Sequence, residues 1–290
     1  MTAIKAFIKR HPVLTYFALT FAISWGGMLL VIGGPGGLPG TQEQFETLLP
    51  IAILALLAGP IATGILLTGL IHGRAGFREL LSRLLRWRVG ARWCAVALLT
   101  APLLFTAVLL ALSLLSSKNA FLPGILVSGN KMSFLVSGIV IGLMAGLIEE
   151  IGWTGFAIPT LRRRYSVLAT GFIVGLLWAA WHLLPTFWFS GTSSGALSLA
   201  SFLLDPFLFL VAFRVLMVWV YDRTGSLLVA MLMHVSLTAS ARILGNMAMA
   251  GAPLLAFDVI WAAATWVVVG AVALANRGQF SRQPLRGWVA

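Results

Sequence analysis

Apolar runs of about twenty residues recur along this chain, at roughly 12–33, 49–71, 93–115, 133–158, 166–190, 200–221, 226–245 and 254–275. Each is close to the ~20 residues that cross about 30 Å of hydrocarbon as a helix. The pattern predicts an all-α polytopic membrane protein with about eight transmembrane helices. The first run follows Lys5, Lys9 and Arg10, as a secretory signal would. It is too long for a signal core, and GGPGGLPG (33–40) after it is a poor cleavage site, so it is expected to stay as a membrane anchor. That glycine- and proline-rich stretch and GTSSGALS (191–198) read as external loops. Between the second and third runs, leucines and arginines alternate at helical spacing over 76–93. A basic amphipathic helix at about 76–92 follows, lying on the cytoplasmic surface against anionic lipid.

Composition agrees with the pattern. Hydrophobic residues make up 60% and charged residues 10% of the 290, against about 25% charged in ordinary domains. Mean hydropathy is +0.98. A formal charge of +12 raises the question of nucleic acid, but its distribution answers no. Sixteen of the 20 Lys and Arg precede run one, lie in 72–92 or 161–165, are Arg223, or follow 275. Those are alternate connections and therefore one side of the membrane, which puts both termini in the cytoplasm. Cys94 is the only cysteine, so neither an intramolecular disulfide nor a cysteine metal cluster can form. No repeat and no soluble appendage interrupts the chain, so 1–290 reads as one membrane domain.

Ionisable residues inside apolar runs are costly and become functional candidates by default. Here they are Glu149 and Glu150 in run four, His182 in run five and His234 in run seven. At about 1.5 Å rise per residue, Glu149 lies roughly 20 Å, His182 roughly 25 Å and His234 roughly 14 Å from the cytoplasmic boundary. Three helices thus bring titratable groups to one layer. A carboxylate with an imidazole can take a proton from water, and a second imidazole can donate to a developing oxyanion. One Glu and two His can equally ligate zinc, or simply hydrogen-bond one another between helices. Trp178 is four residues before His182, and Thr238 four after His234, so each shares a face with its histidine. Pro185 removes the helical partner of the Trp181 carbonyl and is expected to kink or end the helix just beyond His182.

At these residues the sequence resembles a known family. EEIGWTGF (149–156), WAAWH (178–182) and TGSLLVAMLMHVSLT (224–238) resemble the three motifs of the CAAX protease and bacteriocin-processing (CPBP) membrane proteins. Those motifs are Glu-Glu-x-x-x-Arg, Phe-x-x-x-His and His-x-x-x-Asn, and the likeness covers about 130–245. The resemblance implies an intramembrane endopeptidase in which Glu149 and His182 activate water and His234 stabilises the oxyanion. Glu150, Trp178 and Thr238 would support them. It implies metal-free chemistry, with zinc as the alternative, and a peptide or membrane-protein substrate near the cytoplasmic leaflet. The compact sequence points to a bacterial cell membrane and away from a prenylated substrate.

Two positions depart from the motifs: Thr154 stands where Arg is usual, and Thr238 where Asn is usual. Without that Arg, two adjacent carboxylates in low dielectric are not expected to stay ionised together unless Arg214 or Arg242 compensates. The departures favour a second reading, a non-catalytic immunity or scaffold protein. A proton-relay transporter is a third, though matched Gly/Pro-broken helices in two halves are missing.

Overall fold

The computed structural model describes residues 3–115, 121–190, 206–245, 249 and 251–276. Among them the regular structure is helical: α1 (Ala3–Arg10), α2 (Pro12–Val31), α3 (Gln42–Leu84), α4 (Ala91–Leu115), α5 (Gly124–Val127), α6 (Lys131–Gly152), α7 (Ile158–Arg162), α8 (Val167–Phe189), α9 (Val211–Thr224), α10 (Leu227–Leu244) and α11 (Ala252–Ala275). Two π-helical turns, Trp153–Ala157 and Pro206–Leu210, lead into α7 and α9. Seven helices are long and apolar enough to cross a membrane: α2, α3, α4, α6 with its continuation to Arg162, α8, α10 and α11.

The eighth expected segment, 200–221, begins outside the described residues, as does the whole of the expected loop 191–198. What is described of the segment forms the centre of the bundle rather than its lipid face. Eight consecutive residues of α9, Val211 to Val218, are buried, as are Val220 and Tyr221. A helix apolar nearly all round belongs in a core.

Small residues set the closest helix contacts. On α6, Gly138, Gly142 and Gly146 form a stripe at four-residue spacing against α10. A Cβ on Gly142 would come within 2.8 Å of the Val235 carbonyl oxygen, and one on Gly146 within 2.6 Å of the Val235 nitrogen. Gly171 and Gly175 do the same for α8 against Val215 and Val211 of α9. Such stripes let backbones touch where lipid supplies no hydrophobic drive. The α6 stripe continues, four residues on, to Glu150.

Two expectations change shape. The basic amphipathic stretch starts after a bend at Gly73 (φ 58°, ψ −145°), a conformation that glycine adopts without strain, and its helix ends at Leu84 rather than near 92. Beyond Leu84 the chain turns, and the Ser226 hydroxyl donates to the Arg86 carbonyl at 2.6 Å. Phe77, Leu81, Leu85 and Trp87 stay exposed along this stretch, beside Arg74, Arg78, Arg86 and Arg88. Arg83 instead turns inward, donating to the Tyr221 hydroxyl at 2.8 Å and the Gly155 carbonyl at 2.9 Å. The Gly155 carbonyl is available because Pro159, four residues on, has no N–H.

Pro185 does not end α8, which runs to Phe189. The Trp181 carbonyl that Pro185 leaves open accepts instead from the Trp25 indole of α2 at 3.0 Å. A partner from a neighbouring helix satisfies the freed backbone group, which is how membrane helices tolerate proline.

Candidate active site

Glu150 is fully buried and uses both carboxylate oxygens. Arg214 Nη1 donates to Oε1 at 2.8 Å and to Oε2 at 3.0 Å. His234 Nδ1 meets Oε1 at 2.8 Å. The Thr154 hydroxyl, one helical turn on, donates to Oε2. The glycine stripe explains the His234 contact, since it presses that face of α6 against α10. The Gly175 approach explains Arg214, because a Cβ on that glycine would meet the Cβ of Arg214 at 3.3 Å. Arg214 Cζ then sits 3.9 Å from the centre of the Trp178 ring, a cation–π geometry that is strongest out of water.

The expectation that the glutamate pair would shed a charge rested on a missing cation, and Arg214 is that cation. Arg242, the other candidate, lies near the end of α10 and does not take part in the Glu150 ion pair.

Glu149 is treated differently. It is 3% exposed. Both hydrogen bonds that it receives fall on one oxygen: Trp153 Nε1 donates to Oε2 at 3.1 Å and Trp178 Nε1 at 2.9 Å. Among the described residues Oε1 has no hydrogen bond. Two neighbours in sequence therefore differ: Glu150 is saturated, while Glu149 is oriented through one oxygen and its other has no hydrogen bond among the described residues. The π-helical turn begins immediately afterwards, a distortion often found at functional sites. Gly152, at the junction, lets α3 and Tyr16 approach; a Cβ there would lie 2.3 Å from both the Pro60 carbonyl and the Tyr16 hydroxyl.

His182 is half-buried, the most open of the titratable groups here. Its Nδ1 lies 2.8 Å from the Trp178 carbonyl. A carbonyl only accepts, so Nδ1 carries the proton and Nε2 presents a lone pair in the neutral ring. No hydrogen bond joins His182 to Glu149 among the described residues, although Glu149, His234 and Arg214 all lie close enough to act on it electrostatically. The Trp178 ring also packs edge-on to both histidines, with centroids 5.5 Å from His182 and 5.0 Å from His234. Thr238 stands one turn beyond His234, half-buried, and makes no hydrogen bond to the cluster among the described residues. Among the described residues no three His, Cys, Asp or Glu side chains converge as metal ligands would.

Residues 131–240 match the family model described as type II CAAX prenyl endopeptidase Rce1-like. This part of the chain is similar to that family. Within the matched segment fall Glu149, Glu150, His182, Arg214, His234 and Thr238, so the motif resemblance is borne out. A CAAX prenyl protease 2 from Methanococcus maripaludis is 40% identical over 40 residues, which is 14% of this chain and 15% of that relative. The matched segment thus holds every side chain of the cluster, while α1 to α5 and α11 lie outside it in the chain.

Sequence reasoning missed Trp153 altogether and gave Trp178 only a supporting place. The signal for Trp153 was present: it is four residues after Glu149, as Thr154 is after Glu150. Arg214 was singled out but not placed, because no local spacing connects it with Glu150, 64 positions away.

Proposed function

We propose that this protein is an intramembrane endopeptidase that hydrolyses a peptide bond with water activated by Glu149 and His182. The observation that supports it best is the contrast between the two glutamates. A general base needs an oxygen with free lone pairs within reach of the water proton, and Glu149 has one while Glu150 does not. Two indole N–H groups keep the Glu149 carboxylate oriented. His182 Nε2 is the second acceptor, reached through one water. His234 is fixed by Glu150 through Nδ1 and turns Nε2 towards the reacting carbonyl, where it donates only in the imidazolium form.

The substrate is a peptide or membrane protein, cut near the cytoplasmic leaflet of a bacterial cell membrane in which the protein spans several times. The excess of Lys and Arg on one side puts both termini in the cytoplasm.

The test compares wild type with Glu149→Gln and His234→Ala in membranes, reading the termini of membrane peptides by mass spectrometry. Products seen only with wild type, and unaffected by a metal chelator, are expected. Glu149→Gln should fold normally, since an amide oxygen still accepts from both indoles. Identical termini from all three folded proteins would sink the hydrolase and leave the immunity or scaffold reading. Thr238, which makes no hydrogen bond to the cluster among the described residues, is the observation on that side.

A further inference from the structure

Arg214 is fully buried, and only one of its three nitrogens is used. Nη1 serves Glu150, while Nε and Nη2 have no hydrogen-bond partner among the described residues. These two nitrogens share one edge of the guanidinium plane and form a two-pronged donor fork of the kind that holds carboxylate or phosphate oxygens. Nη1 faces Glu150 and the Trp178 ring lies against the guanidinium face, so the orientation of the fork is fixed from two sides. Several buried indoles are also without hydrogen-bond partners among the described residues, Trp181 and Trp261 among them. Those are neutral donors. A charged donor left unmatched in low dielectric costs far more, so a free guanidinium edge within the cluster requires a reason.

The expected oxyanion donors are both compromised. Thr238 makes no hydrogen bond to the cluster among the described residues. His234 has its Nδ1 on Glu150, and its Nε2 bears a proton only when the ring is charged. A guanidinium has N–H donors on every nitrogen and no acceptor. We propose that Arg214 is a catalytic residue whose Nε–H and Nη2–H bind the substrate's carbonyl oxygen as it becomes an oxyanion.

This rests on the hydrolase reading and completes its atom balance. Glu149 removes one proton from water, and the water oxygen bonds to the carbonyl carbon. The π electrons move onto the carbonyl oxygen, held by the fork. Collapse then breaks the C–N bond, and the proton passes from Glu149 to the leaving nitrogen. Glu150 holds the guanidinium in place, so charge compensation and oxyanion binding use different nitrogens of one side chain.

The decisive protein is the double variant Arg214→Gln with Thr154→Arg. It returns a cation to Glu150 from the π-helical turn, at residue 154, whose hydroxyl already reaches Glu150, while removing the fork. Wild type, this variant and Glu149→Gln are compared on the membrane-anchored synthetic peptide that wild type cuts fastest. The double variant should bind that peptide with KM near wild type but turn it over about 100- to 1,000-fold more slowly, the loss typical of an absent oxyanion donor. A kcat within about threefold of wild type would show that Arg214 only balances charge, and would overturn the proposal.

Should the double variant not fold, Arg214→Lys is used, which keeps the charge without the planar fork. The readout is then calorimetric binding of a phosphinic peptide, tetrahedral and anionic at the scissile position, in a Glu149→Gln background. Arg214→Lys should weaken binding of this transition-state mimic at least about tenfold; equal affinity overturns the proposal. Identical termini from wild type and Glu149→Gln would instead end the hydrolase reading itself, and the fork with it. Cleavage lost in Glu149→Gln but kept in the double variant ends the fork alone.

Discussion

Gly146 has no chemistry, yet its replacement by alanine should disable the site. Its added Cβ would lie 2.6 Å from both the nitrogen and Cγ2 of Val235 and 2.9 Å from the Met231 carbonyl oxygen. Two of those three atoms are backbone, so no rotamer change relieves them. Restoring an ordinary contact distance requires α6 and α10 to part by about 0.8 Å, because packed interiors have little slack. Glu150 lies one turn further along the same face, where its contact with His234 is 2.8 Å. The same displacement would stretch that contact to about 3.6 Å, which is no longer a hydrogen bond. Overpacking costs about 1–3 kcal/mol, and weakening a buried bond to a charged group about 1.5–3 kcal/mol. Thermal unfolding in detergent and the peptide cleavage rate measure the two effects. The control is Gly270→Ala, where a Cβ meets nothing within 4 Å; it should be neutral, or stabilising by about 0.4–1 kcal/mol. A Gly146→Ala protein with wild-type stability and rate would refute the idea that the glycine stripe positions Glu150.

Glu150→Gln should destabilise by about 3–5 kcal/mol, the usual result of leaving one member of a buried ion pair alone, whereas Glu149→Gln should leave unfolding unchanged. Equal denaturation midpoints for the two variants would contradict the division of labour between the glutamates. Trp25→Phe should cost about 1–3 kcal/mol by leaving the Trp181 carbonyl unpaired. In a Pro185→Ala background, where residue 185 regains an N–H for that carbonyl, the cost should shrink. A double-mutant cycle without coupling would show that the Trp25 bond does not compensate for the proline.

Much of this was legible in the sequence because membrane burial imposes coarse rules. Length and hydropathy gave the all-α, multi-pass architecture, with seven of the expected spans appearing as long apolar helices. Glu149, Glu150, His182 and His234 stood out because ionisable groups are scarce in such runs, and the fold gathers them with Trp178. What stayed hidden depends on tertiary contact. Nothing near Gly73 distinguishes a bend from a continuous helix until its positive φ is seen. Pro185 reads as a helix end unless Trp25, from another helix 156 positions earlier, is known to receive the freed carbonyl. The glycine stripe from 138 to 146, followed by Glu150 at the next step, marks a face of α6 that another helix approaches closely, but its spacing does not say which helix or in what register.

The position of the cation carries the larger consequence. An arginine at 154 would meet Glu150 along a single helix and join nothing else. Arg214 reaches the same carboxylate from α9, with α8 against it through Trp178 and α10 attached through His234. Three helices therefore meet at one carboxylate, with α8 packed on its cation, and the pair can form only when they are assembled. A buried ion pair gains little net stability over an apolar equivalent, because desolvation offsets the attraction. Its contribution here is positional: it fixes α6, α8, α9 and α10 in register at the level where Glu149 projects its unbonded oxygen. The departure at Thr154 is thus matched by a charge from another helix, and the cluster's integrity becomes a property of the whole bundle.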